Sequence, residues 1–247
     1  MEESDQTKTL IHLPSMKTWA QELDHFYSSL KPAKNLPNDV AWLYPQKDEA
    51  VLAIVRQFLH KYFNDSRTRR LMLGINPGRF GAGVTGVNFT APKQLSEICG
   101  ISHPYKNQSE LSAEFIYEMI TAYGGPEKFY SDYFIGSVCP LGFIQHGKNI
   151  NYYDDKELLR TVESFIIKTI KAQVSFPVKR DVCFCIGGEK NFKYLSGLNE
   201  RYKWFERIVP LPHPRFIMQY RRKQKEEFVQ MYVDALGNNE QGTRNSE

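Results

Sequence analysis

The chain has 247 residues, 41% hydrophobic and 24% charged, which is ordinary globular composition. No stretch approaches the roughly eighteen consecutive apolar residues of a membrane span, and the acidic, polar start (Met1-Glu-Glu-Ser-Asp5) is unlike a secretory or transit leader. The expectation is therefore a soluble protein of the cytoplasm, with the nucleoid in a bacterium or in the nucleus of a eukaryote; the net charge of +4 is compatible with nucleic acid but does not select it.

Residues 1–14 and 237–247 are polar and expected to be frayed, leaving one domain over 15–236. From Ser15 the residues Trp19, Leu23, Phe26, Tyr27 and Leu30 recur at helical spacing. After a Pro- and Asn-containing connection over 31–38, Val51, Ile54, Val55, Phe58, Leu59, Tyr62 and Phe63 mark a second helix. Arg67, Arg69 and Arg70 then lead into an apolar run ending at Ile75, which reads as a buried strand stopped by Asn76-Pro77-Gly78. Three such arginines can hold phosphates, although a charge run more often forms a solvated face. Helices are expected over about 92–99 and 111–123, a second strand over 133–138, and a long helix over 156–174. A third strand over 181–186 is closed by Gly187-Gly188, followed by a helix near 191–205, a fourth strand over 207–211 and a last helix over about 218–236. The four cysteines, Cys99, Cys139, Cys183 and Cys185, read as buried free thiols. Cys183 and Cys185 would share one side of a strand, a spacing that suits neither a disulfide nor a zinc site, so no metal site is expected.

Strands separated by helix-length segments imply a three-layer α/β/α fold around a central, mostly parallel four-stranded sheet. Ligands of such sheets bind outside the carboxyl ends of the strands, which selects the loops 76–90, 137–150, 187–190 and 212–221. The segment from Gly74 to Phe89 holds five glycines, which allow close backbone approach. It lacks the Gly-Lys-Ser/Thr ending of a P-loop, and its first glycine pair, Gly74 and Gly78, lacks the one-residue separation of a dinucleotide-binding turn. Taken alone, Asn76 could simply cap the turn. The segment Leu211-Pro-His213-Pro-Arg215-Phe216 follows the last strand, and its prolines stiffen the backbone around His213. A lone histidine is more often structural than catalytic, but this one falls on the same sheet edge as Asn76.

Asn76-Pro-Gly-Arg-Phe-Gly81 with Thr85-Gly-Val-Asn-Phe89 resembles the first active-site motif of the single-strand-selective monofunctional uracil-DNA glycosylases, and His213-Pro214-Arg215 is similar to the second. Val138-Cys-Pro-Leu141 resembles the segment after that family's base-reading strand, and Gly147-Lys-Asn149 the loop beyond it. The order and spacing cover most of the chain from Leu71 onward and are closest to a divergent, bacterial-looking branch. The resemblance implies a uracil-DNA glycosylase-like fold and a monomeric, cofactor-free hydrolase. Its substrate would be DNA containing uracil or a related damaged base, in single strands and in duplexes as well. It further implies that His213 stabilises charge on uracil O2 and that Asn76 holds the attacking water. Phe89 would stack on the flipped base, while Ile75 and Gly78 line its pocket. Arg79, Phe80, Arg215, Phe216, Tyr220, Arg221, Arg222 and Lys223 would contact DNA, with Arg215 the best candidate for the wedge. Some superfamily members carry an iron–sulfur cluster; with two of its cysteines on one strand and none before residue 99, this chain is expected to lack one.

Two departures stand out. Ser137 occupies the place of the family's base-reading asparagine; its single hydroxyl can turn either way, which weakens the expected discrimination. The run after His213 is also shorter than the family's. Two other readings remain at this level: a catalytically silent nucleic-acid-binding relative, and an unrelated nucleotide hydrolase on a similar sheet. Excision from a uracil-containing oligonucleotide separates them.

Overall fold

The computed structural model describes residues 17–37 and 39–244, with side chains to residue 237. The expected frayed segment 1–14 lies outside the described residues. Thr18 opens helix α1 (Trp19–Ser28) with a reciprocal cap, its hydroxyl accepting from the Gln21 N–H while the Gln21 side chain accepts from the Thr18 N–H. Strand β1 (Val40–Leu43) follows, then helix α2 (Glu49–Tyr62), capped by the Asp48 carboxylate on the Ala50 N–H. Strand β2 (Arg69–Gly74) is buried at every position, as a strand covered on both faces must be. Then come α3 (Ala82–Thr85), α4 (Pro92–Glu97), α5 (Leu111–Tyr123), α6 (Pro126–Asp132) and strand β3 (Tyr133–Ser137). Strands β4 (Gly142–Gln145) and β5 (Lys148–Ile150) form a hairpin whose two-residue turn, His146-Gly147, has positive φ at both positions. The chain continues through α7 (Lys156–Val174), β6 (Val178–Ile186), α8 (Glu189–Tyr202), β7 (Arg207–Leu211), α9 (Pro214–Tyr220), a 3-10 turn at Arg222–Gln224, and α10 (Lys225–Arg244).

The central sheet has the order β3-β2-β6-β7 and all three pairings are parallel, in the middle layer of a three-layer α/β/α fold. The register sets Gly74 opposite Ser137 and Ile186 opposite Leu211, so the strands end at one edge. A continuous cluster of buried apolar side chains extends from Trp19 to Leu236 and includes Leu71, Met72 and Leu73 of β2. The strands β1, β4 and β5 make a separate antiparallel sheet, with Trp42 paired to Phe143.

The structure corrects several expectations. The last helix is broken: α9 begins four residues before the expected start at Met218, because His213 caps it and Pro214 occupies its first turn. It ends at Tyr220, and α10 then runs to Arg244, into the expected tail. The small antiparallel sheet was not anticipated, since its strands are only three or four residues long. Of the three arginines, Arg69 and Arg70 lie within β2 and form neither a phosphate cluster nor a solvated face. Arg69 is 0% exposed and makes a forked ion pair with Asp65, with further bonds to the carbonyls of Tyr130 and Tyr62. Arg70, likewise buried, pairs with Asp181 at 2.6 Å. All four cysteines are buried and unbridged.

Candidate active site

The aligned strand ends open into one hollow of about 400 Å³, within the range of small-ligand sites. It is lined from all four loops that the sheet rule selects. Ile75, Asn76, Gly78, Phe80 and Phe89 come from the first, Ser137 and Asn149 from the second, Gly188 from the third, and His213, Arg215, Phe216 and Tyr220 from the fourth. Glu110 and Ser112, at the start of α5, complete the wall.

Asn76 does more than cap a turn. Its Oδ1 accepts the backbone N–H of Tyr152 at 3.2 Å, and its Nδ2 donates to the carbonyl of Ile150 at 3.3 Å. Because a backbone N–H can only donate and a carbonyl only accept, these two bonds settle which end of the amide is which. Nδ2 donates to the Pro77 carbonyl as well, in a longer contact of 3.5 Å, which leaves one lone pair of Oδ1 uncommitted. The same hairpin is tied to the first loop a second time: Asn149 Oδ1 accepts the Arg79 N–H at 3.2 Å, and the Arg79 guanidinium donates to the Gly147 carbonyl.

His213 caps α9 through its ring. Nδ1 accepts the backbone N–H of Arg215 at 3.1 Å, so the neutral imidazole carries its proton on Nε2. Burial, with the Arg215 charge beside it, lowers its pKa from 6.5 to about 4. A helix N-terminus acts in the same direction. The ring is therefore a neutral N–H donor at physiological pH.

Phe89 has φ of 52°, a left-handed conformation that bulky residues rarely adopt. The surrounding loop holds it there. The Thr85 hydroxyl donates to the Thr90 carbonyl at 2.6 Å and accepts from the Val87 N–H at 3.2 Å. Thr90 in turn is bound to the Asn88 carbonyl at 3.1 Å and to the buried Tyr117 hydroxyl at 3.0 Å. Gly74 makes room for the ring: a Cβ there would stand 2.7 Å from Phe89 Cε2. Similarly, a Cβ on Gly78 would come within 3.3 Å of Asn149 Nδ2.

Ser137, 3% exposed, donates its hydroxyl to Asn88 Oδ1 at 3.1 Å. Asn88 also lines the hollow; it falls within the Thr85–Phe89 part of the first motif, where no role was assigned to it. Asn149 falls within the selected loop 137–150 and ends the Gly147-Lys-Asn149 match, though it was given no role; Glu110 and Ser112 were missed as lining residues, because no spacing connects them to the strand ends.

At the mouth, Phe80, Phe216 and Tyr220 are exposed aromatics, the last at 67%. The Arg79 guanidinium lies over the Phe80 ring at 4.4 Å, and that of Arg221 over Phe216 at 5.8 Å. Arg221, Arg222 and Lys223 are exposed but do not line the hollow; they follow α9, on and beside the 3-10 turn.

Comparison with known proteins gives the same picture. A family model described as the uracil DNA glycosylase superfamily matches residues 60–237. The crystal structure of wild-type Pedobacter heparinus SMUG2 is similar, with 44% sequence identity and a TM-score of 0.88, over 92% of this chain and 100% of that one.

Proposed function

This chain belongs to the uracil-DNA glycosylase superfamily, as a member of the single-strand-selective monofunctional type, and on that premise we propose that it flips uracil, or a related deaminated base, out of DNA and hydrolyses its glycosidic bond to begin base-excision repair. That it is a DNA glycosylase, a hydrolase of N-glycosyl bonds, follows from the family; the base, the flip and the residue roles are the proposal. One observation carries it: an oriented amide, Asn76, and a neutral imidazole, His213, line the same hollow beside an aromatic ring, Phe89.

The chemistry follows from those groups. Breaking the bond leaves an oxocarbenium-like sugar and a departing uracil anion, so the site needs a donor to the base and a placed water at the sugar. His213 Nε2–H supplies the donor to uracil O2. A neutral donor in a half-buried site strengthens as the anion forms, without the cost of burying a second charge. Asn76 keeps one Oδ1 lone pair for the water, and its bonds to the backbone of Ile150, Tyr152 and Pro77 fix where that water stands. An amide is a weak base, so leaving-group stabilisation supplies most of the acceleration. Phe89 stacks on the extruded base, and Ile75 and Gly78 form the walls around it.

A base stacked in a duplex cannot reach the strand ends, so it must leave the helix, at a cost of a few kcal/mol. Arg215, Phe216, Tyr220 and Phe80 at the mouth are placed to occupy the vacated space and to stack on neighbouring bases. Single strands avoid most of that cost and are the easier substrate.

The test is excision from a uracil-containing oligonucleotide, single- and double-stranded, followed by alkaline cleavage at the abasic site. Product with the wild type and its loss in His213→Ala support the assignment. Binding without excision, or the absence of both, contradicts it.

A further inference from the structure

We propose that Asn88 and Ser137 act together as the base-reading element of this enzyme, the serine supplying the acceptor and the asparagine the donor that a single amide would otherwise present. The inference rests on the uracil reading above and concerns how that base is told from cytosine.

The case begins at a backbone carbonyl. Asn88 Nδ2 donates to the carbonyl oxygen of Ile135 at 3.1 Å. Ile135 belongs to strand β3, so that oxygen cannot turn or become a donor, and the amide is fixed with its Oδ1 on the other side. Oδ1 can only accept. The Ser137 Oγ, 3.1 Å away, must therefore be the donor in their contact. The hydroxyl that could have turned either way has its proton committed to Asn88. What Ser137 retains toward the hollow is a lone pair. Asn88 retains its second Nδ2 hydrogen. Both residues line the site.

An acceptor beside a donor is the complement of the uracil edge, which offers N3–H as donor and O4 as acceptor. Cytosine reverses both, with a bare N3 and an amino group at C4. Against cytosine, the Ser137 lone pair would face the N3 lone pair, and the Asn88 N–H would face an N–H. Ser137 is buried and Asn88 partly so, and a mismatch costs more the less water can reach it. Ser137 is further held by Gln173, which is 1% exposed and donates from Nε2 to the Ser137 carbonyl at 3.0 Å. The backbone of Asn88 is anchored as well, its carbonyl accepting from the Thr90 hydroxyl at 3.1 Å. The reader is thus built from two segments that meet only in the folded chain, and its polarity is set by Ile135.

The test measures recognition apart from bond cleavage. Oligonucleotides carrying 2′-fluoro-2′-deoxyuridine or 2′-fluoro-2′-deoxycytidine, which resist hydrolysis, are titrated with the full-length wild type, Asn88→Ala, Ser137→Ala and the double variant. Thermal melting of each protein is recorded alongside. The expected result is a wild-type preference for the uridine analogue that falls by about tenfold or more in each single variant. The double variant falls by less than the product of the two single losses, because Asn88→Ala by itself already leaves the Ser137 hydroxyl free to turn. Ser137→Ala leaves the Asn88 bond to Ile135 in place, so its effect does not depend on the loop of Asn88 surviving the companion substitution. An unchanged preference in either single variant, or losses that multiply in the double, overturns the pairing. Wild type that excises uracil yet binds both analogues equally also overturns it, while leaving the glycosylase assignment standing. Wild type that excises no uracil removes that assignment and the pairing with it.

Discussion

The ring centroids of Phe89 and His213 lie 6.2 Å apart with 49° between the planes. One ring comes from the loop after β2, an inner strand of the central sheet, and the other from the loop after β7, its edge strand. On the proposed function, a base seated against Phe89 would come within reach of the imidazole, which would tie recognition to leaving-group stabilisation.

The protonation of His213 gives a pH prediction. Its pKa is lowered from 6.5 to about 4 on folding, so between those values the unfolded chain binds a proton that the folded chain does not. The stability from keeping the ring neutral is fully present above 6.5 and is lost as pH falls through about 4. A neutral Nε2–H donor predicts single-turnover excision that is level with respect to this group from about pH 8 to about pH 5. Below that the rate falls, because protonating Nδ1 breaks the bond to the Arg215 N–H that caps α9. A pH–rate profile rising on acidification through 6.5 would instead require an imidazolium.

Asn76→Ala removes three bonds to backbone and the water's anchor together. Excision is expected to drop by roughly 10²-fold or more, with binding of uracil-containing DNA changed only a few-fold. The protein should also lose about 1–2 kcal/mol of stability, since the Tyr152 N–H and the Ile150 carbonyl each lose a partner. Single-turnover rates, DNA titration and denaturant unfolding separate the three effects.

Gly74→Ala places a methyl group against the far end of the Phe89 ring. That end can swing aside, so unfolding stability should change by less than about 1 kcal/mol. The displaced ring no longer stacks on the base, and excision is expected to fall by about tenfold, in line with Phe89→Ala and with a stacking contribution of ~1–3 kcal/mol. Wild-type rates in Gly74→Ala would show that the position of this ring is unimportant.

The exposed rim predicts a division of labour. Phe216→Ala or Tyr220→Ala should weaken single-stranded DNA binding by the ~1–3 kcal/mol of one stacked base, with little change in its salt dependence. Arg222→Ala or Lys223→Ala, at exposed cations beyond the rim, should instead flatten the dependence of log affinity on log salt by roughly 0.7 on single strands. Titrations at several salt concentrations distinguish stacking from phosphate contact. A side chain with neither effect does not touch DNA.

The alternation of apolar runs and helix-length segments was enough to specify the parallel sheet, and the glycine-rich turn and the Pro-flanked histidine were enough to mark two of its loops. Those features are local: buried strands read as apolar runs, and turns announce themselves by glycine and proline. The small sheet of β1, β4 and β5 escaped because its strands are short and its pairing joins residues far apart in sequence. Arg69 and Arg70 looked like a basic patch because their carboxylate partners, Asp65 and above all the distant Asp181, are assigned only by folding. The same holds within the site. Sequence placed Asn76, Phe89, Ser137 and His213 on one sheet edge. Only the tertiary structure decided that Asn76 is clamped by the backbone at Ile150 and Tyr152, that the His213 proton resides on Nε2, and that Ser137 is bonded to Asn88. Hydrogen-bond direction depends on which groups meet across segments, and no periodicity in a chain encodes that meeting.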